Sequence, residues 1–174
     1  MNMTTKDLDS TEFGEHYQRY IDKVPLGISL KNAYESEGVL KSYFDKVPSE
    51  KLTCAYDQGK WTMKEVFQHM IDTERVFAHR LFRLGRMDST SLPGFDQDVY
   101  NSPSGANDKS MTTLQNEYAT TRANTAAIIQ SLSVDQLSFV GEASGFPLSS
   151  RAAAFIILGH EQWHIEIMNE RYLN

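Results

Sequence analysis

Cysteine is nearly absent from this chain. Cys54 stands alone, so no internal disulfide can form, and a reducing, cytoplasmic setting fits. Long apolar runs are absent too. The richest, Ala152 to Leu158, falls far short of the roughly 18 residues that a membrane span needs. The opening MNMTTKDLDSTEFGEH lacks the apolar centre of a signal peptide. Lys and Arg form no cluster, and the net charge is −6, which disfavours nucleic acid and anionic membrane as partners. No internal repeat or low-complexity tract appears. The remaining composition is ordinary: 40% hydrophobic and 23% charged over 174 residues, enough for one soluble domain with a real core.

Hydrophobic spacing predicts an all-α protein. Residues 1–24 form an N-terminal segment, frayed over 1–12, with a short helical turn within 13–23 that packs across the rest. Residues 25–174 form the domain. A first long helix is expected from Pro25, a residue favoured in a first turn, to Val47, with Pro48 ending it. The second has the clearest start. Thr62-Met-Lys-Glu65 reads as a capping box, and Val66, His69, Met70, Thr73, Val76, Phe77, Leu81 and Leu84 follow as one stripe to Gly85. Residues 86–108 are rich in Ser, Pro, Gly, Asn and Asp and read as a long loop, a kind that is often functional. The third helix is expected over Ser110–Ser131 and the fourth over Ser149–Tyr172, with a small hairpin conceivable within Phe139–Leu148. Four long helices without convincing strands predict a four-helix bundle.

The five histidines are not equivalent. His160 and His164 are i and i+4, about 40° apart on one helix face and one turn above each other. Both lie in the apolar stripe, and His69 lies in the stripe of the second helix. A bundle turns such stripes toward one another, so the three rings can meet at one point. Three protein ligands and an open position for water form a catalytic metal arrangement. A lone histidine on an apolar face is ordinarily a satisfied core residue, but paired buried imidazoles need partners for both rings. His79 lies about 80° off the stripe and is expected at the surface. His16 has no assigned role.

His160-Glu161-Gln162-Trp163-His164 also spells HExxH, the zinc-protease pattern. Its extended form fails, with Ile167 in the place of glycine and Glu170 in the place of the last histidine. A third ligand therefore has to come from upstream, and His69 is the candidate. Glu161 follows a ligand as in such proteases and is a candidate general base. Asp72, one turn from His69, is a candidate to orient a ligand imidazole or hold a water. Glu74, about 140° from His69, is expected to face outward or to cap a network. Asp96 and Asp98 lie in the long loop, which could cover the pocket. Trp61 and Trp163 are read as core or interface.

These residues resemble a known family. Gly59-Lys-Trp61-Thr62 leading to His69, Asp72 and Glu74, then Leu92-Pro-Gly-Phe95-Asp96-Gln-Asp98, then Gly159-His160-Glu-Gln-Trp-His164 are similar to the DinB-like (DinB/YfiT-like) metalloenzyme superfamily. The likeness spans roughly residues 25–173. It implies an up-down-down-up bundle, a metal site made of His69, His160 and His164, often a homodimer, and zinc, nickel or iron as the ion. Many members carry a further histidine directly after the last ligand, where this chain has Ile165. The implied activities on small molecules are thiol-S-transfer, with an external low-molecular-weight thiol, and hydrolysis. A metal- or ligand-binding stress protein without turnover is the alternative. A structural bundle and the protease are minor ones. Metal analysis separates the structural bundle from the rest, and an activity screen separates enzyme from binding protein.

Overall fold

The computed structural model describes residues 2–35 and 39–173, Lys41 through its backbone alone. Its helices are α1 (Gln18–Ile21), α2 (Leu30–Glu35), α3 (Leu40–Phe44), α4 (Met63–Gly85), α5 (Gln97–Asn101), α6 (Met111–Gln130), α7 (Val134–Ser138) and α8 (Ser150–Arg171). A two-stranded antiparallel hairpin, β1 (Val140–Ala143) and β2 (Phe146–Ser149), precedes α8. Among the described residues no helix is long and apolar enough to cross a membrane.

Helix α4 begins as its sequence demands. The Thr62 hydroxyl accepts from Glu65 N at 3.2 Å, and the Glu65 carboxylate accepts from Thr62 N at 2.7 Å. Together they satisfy amides that an uncapped helix leaves open. Ser110 and Ser149 cap α6 and α8 in the same way, through Thr113 N and Ala152 N. The hairpin turns through Ser144 (φ 56°) and Gly145 (φ 80°), successive left-handed residues suited to a tight two-residue connection.

Three expectations change. Helix starts at Leu30 rather than Pro25, because Gly27 takes a left-handed φ of 80°. The expected first helix crosses residues 36–38, which lie outside the described residues, and its described parts are α2 and α3. The N-terminal segment is not frayed. It forms 3-10 turns, Leu30 N donates to Met3 O at 2.8 Å, and the buried Glu12 carboxylate accepts from Ser149 and Arg151. Hydrogen bonds and an ion pair hold this polar stretch, and Met3, Leu8 and Phe13 pack on the first apolar cluster. The long loop is also partly ordered: it contains α5 and is pinned to the hairpin by Leu92 N–Glu142 O and Ser144 N–Leu92 O.

The apolar core falls into two clusters. Leu30, Tyr34, Phe77, Leu81, Ile129, Phe155 and Ile156 belong to one. Leu40, Phe44, Met63, Phe67, Leu114, Tyr118, Ile165 and Met168 belong to the other. Between them, along three helices, lie buried polar residues: His69, Thr73 and Glu74 on α4, Thr121, Arg122 and Thr125 on α6, His160 and Glu161 on α8. This polar belt contains the candidate site.

Candidate metal centre

His69 sits two turns into α4, and His160 and His164 sit on successive turns of α8, the helix packed against it. The Nε2 atoms of His69 and His160 are 3.1 Å apart, as are those of His160 and His164. One coordinating nitrogen from each residue lies within 4.8 Å of the other two. A tetrahedral ion about 2.0–2.1 Å from each nitrogen spaces its ligand atoms about 3.3–3.4 Å apart, so the donor set fits such an ion closely. Hydrogen bonding alone fits worse. A single proton on His160 Nε2 would have to serve two facing lone pairs at once.

The imidazoles are held neutral, the form that can ligate. Burial pulls His69 down to about 3, helped by the charge of His164. Burial and the nearby Arg19 pull His164 down to about 4. His160 is pushed well below the ordinary histidine range by burial, then by His164, His69 and Arg19. Thr73 Oγ1 lies 3.4 Å from His69 Nδ1 and accepts from it in the tautomer that leaves Nε2 unprotonated. Trp61 packs on His69 and Tyr20 on His160, with ring centres 4.9 and 5.2 Å apart.

A cavity of about 400 Å³ opens beside the pair His69–His160, lined also by Tyr17, Tyr20, Phe77, Phe95 and Asp96. Its tyrosine wall comes from the N-terminal segment. Gly159 makes that placement possible, since a Cβ there would stand 1.8 Å from Tyr20 O. Nothing local in the sequence signals this wall, because it depends on one close backbone crossing.

The other acidic candidates are placed differently from their expected roles. Glu161 is turned away from the cavity: its Oε2 accepts from Tyr118 OH at 2.8 Å and Arg122 Nη2 at 2.6 Å. It is neither solvated nor a base beside the histidines. Glu74 does not face outward. It is buried, and both its oxygens accept from Arg122, at 2.9–3.2 Å. Burial raises Glu161, while Arg122 and the Tyr118 hydroxyl oppose that effect. Asp72 accepts from Gln68 and Arg75 on the α6 side and bonds none of the histidines; Thr73, not Asp72, is the partner of His69. Asp96 is the loop acid that reaches the cavity. Its Oδ1 caps α5 through Asp98 N and Val99 N. His79 is exposed, as expected, and His16 lies against Tyr17 and Phe146.

With this geometry established, the comparisons are specific. The family model described as the DinB superfamily matches residues 33–168. This chain belongs to the DinB superfamily. Among solved structures, the DinB-like bundle is similar to one described as "YfiT from Bacillus subtilis is a probable metal-dependent hydrolase with an unusual four-helix bundle topology". The match has 14% identity, covers 95% of this chain and 88% of that one, and has a TM-score of 0.67, which shows a shared fold. No curated protein matches the sequence. Within the DinB match lie His69, Thr73, Asp96, His160 and His164, whereas Tyr17 and Tyr20 precede it.

Proposed function

We propose that this DinB-superfamily chain is a metal-dependent enzyme acting on a small molecule, with hydrolysis as its reaction type. The meeting of three neutral imidazoles, two buried and the third half-buried, at the edge of an aromatic cavity carries the reading. A divalent ion held there supplies Lewis acidity, bringing a water or a thiol to its reactive anionic form near neutral pH. Imidazole ligands suit zinc, nickel and iron alike.

The chain's residues divide the remaining tasks. His69, His160 and His164 present lone pairs to one point. The Thr73 hydroxyl accepts from His69 Nδ1, which keeps Nε2 free to ligate. Because all three ligands are neutral, the open side favours an anionic group. Asp96, whose Oδ1 is committed to the α5 cap, lines the cavity and is the acid there that serves as proton acceptor, the role expected of Glu161. Tyr17, Tyr20, Phe77 and Phe95 receive an apolar body and exclude water. A thiol for transfer would come from outside, since Cys54 is exposed and donates to Glu50 O.

For the bundle we retain the order up-down-down-up. It is supported by the first helical region and α8 running from the first apolar cluster to the second, and by α4 and α6 running the other way. A homodimer is part of the same proposal.

The test is elemental analysis of the purified protein and of His160→Ala, then assay of chelated and zinc-, nickel- or iron-reloaded protein. The substrates are ester and amide panels, and electrophiles with several thiols. One equivalent of metal per chain, lost in the variant, with metal-restored hydrolysis, is expected. Metal without turnover returns the reading to a binding protein. Thiol-dependent turnover alone changes the reaction type, and no metal after reloading removes the proposal.

A further inference from the structure

Arg80 is the buried cation that the metal centre does not use. It lies on α4, about three turns beyond His69 on nearly the same face, and is 2% exposed. Arg122, the other fully buried arginine of the core, is matched by two carboxylates. Arg80 has none within ion-pair distance among the described residues. Its Nη2 donates to Pro93 O at 3.0 Å and Ser144 Oγ at 2.7 Å, and its buried Nε has no partner among the described residues. Buried charges are ordinarily paired and buried donors ordinarily satisfied, so this arginine needs an explanation.

Its neighbours supply one. The guanidinium carbon lies 4.8 Å from the centre of the Phe77 ring and 5.9 Å from that of Phe95. Both rings line the histidine cavity, and no lysine or arginine does. We propose that this cavity takes a small anionic molecule, a carboxylate or other oxyanion on an apolar, ring-sized body, and that Arg80 is the positioning residue that selects for its charge. The inference rests on the cavity being the substrate space of the enzyme proposed above.

Two effects act together. The field of Arg80 reaches the cavity through packed rings rather than through water, so it is weakly screened. The opposing wall charge, Asp96, is exposed, so the high dielectric of the surrounding water weakens its field far more than that of a buried group. The buried cation therefore outweighs the solvated carboxylate. Through Pro93 O and the hairpin's Ser144, Arg80 also fixes the segment that carries Phe95. An oxyanion additionally suits the open side of three neutral imidazoles.

The test compares benzoate with benzamide, its neutral analogue of equal size, by calorimetric titration of chelated protein. Chelation removes any contribution of the ion. Metal content is read separately, so a failed metal site and a failed charge preference are told apart. Benzoate is expected to bind about tenfold more tightly at about 0.1 M salt, with most of the preference kept at about 0.5 M. Arg80→Gln is expected to abolish the preference and Arg80→Lys to keep most of it, a pattern that loss of packing alone would not give. Equal or better binding of benzamide overturns the proposal, as does binding of neither compound. A preference lost with salt overturns it too, because that would point to exposed Arg19. So does a preference retained in Arg80→Gln. If that variant does not fold, the parent ratio, its salt dependence and Arg80→Lys still decide.

Discussion

Removing the metal should make this domain sensitive to mild acid, by an amount the histidine cluster determines. Each of His69, His160 and His164 is held neutral in the fold, with His69 pulled to about 3 and His164 to about 4. In the unfolded chain each titrates near about 6.5. The folded-state values are depressed, so below about 6.5 the unfolded chain binds more protons and stability falls with pH. The loss continues until the folded values are reached. Between about pH 6.5 and 5 each ring costs about 1.6 kcal/mol, and the three together about 5 kcal/mol. That is comparable with the whole stability of many domains, about 5–15 kcal/mol. Acid effects from strongly hydrogen-bonded carboxylates such as Asp88 lie lower and leave this window to the histidines. Urea unfolding of chelated protein at several pH values measures the slope. Zinc-loaded protein should lose far less over the same range. A chelated protein equally stable at pH 6.5 and 5 would refute the claim that these rings are buried without protons.

Other perturbations address single contacts. Arg122→Met leaves Glu74 and Glu161 buried together and should cost about 3–5 kcal/mol in urea unfolding at pH 8. Part of that loss should be recovered near pH 5.5, where a proton can replace the guanidinium. Thr73→Val removes the acceptor of His69 Nδ1 and should weaken zinc affinity about 10- to 100-fold in a chelator competition, with the helical circular dichroism unchanged. Gly159→Ala puts a Cβ into Tyr20 O and should cost about 1–3 kcal/mol in thermal or urea unfolding. The same change should disturb the fluorescence of Trp163, which packs on Tyr20.

What the sequence made legible was local. Helix α4 could be placed because its capping box and its glycine stop are near-neighbour signals, and the fold realises the box bond for bond. The pair His160–His164 could be placed because helical spacing fixes it. Glu74 and Arg122 carried a usable signal that comparison with His69 alone did not reveal. Glu74 is four residues after Met70 and three before Phe77, and Arg122 is four after Tyr118, so each sits at core spacing among buried residues. Glu161 and Asp72 were misplaced because adjacency along the chain says little about direction. One residue turns a helix by about 100°, enough to move a carboxylate from the cavity to the opposite wall. The order of the N-terminal segment escaped because its partners lie far along the chain: Glu12 is held by Arg151 and Ser149, and Met3 and Leu8 pack on the core.

Gly159 couples two parts of the chain that need not change together. The three imidazoles and Thr73 lie within the stretch that matches the superfamily, residues 33–168, while Tyr17 and Tyr20 come from the segment that precedes it and lies over α8. One part carries the three imidazoles, and the other walls the cavity beside them. Under the proposed function, exchanging residues 2–24 between related bundles would leave the imidazoles in place and change only the wall beside them, provided the notch at residue 159 stays open.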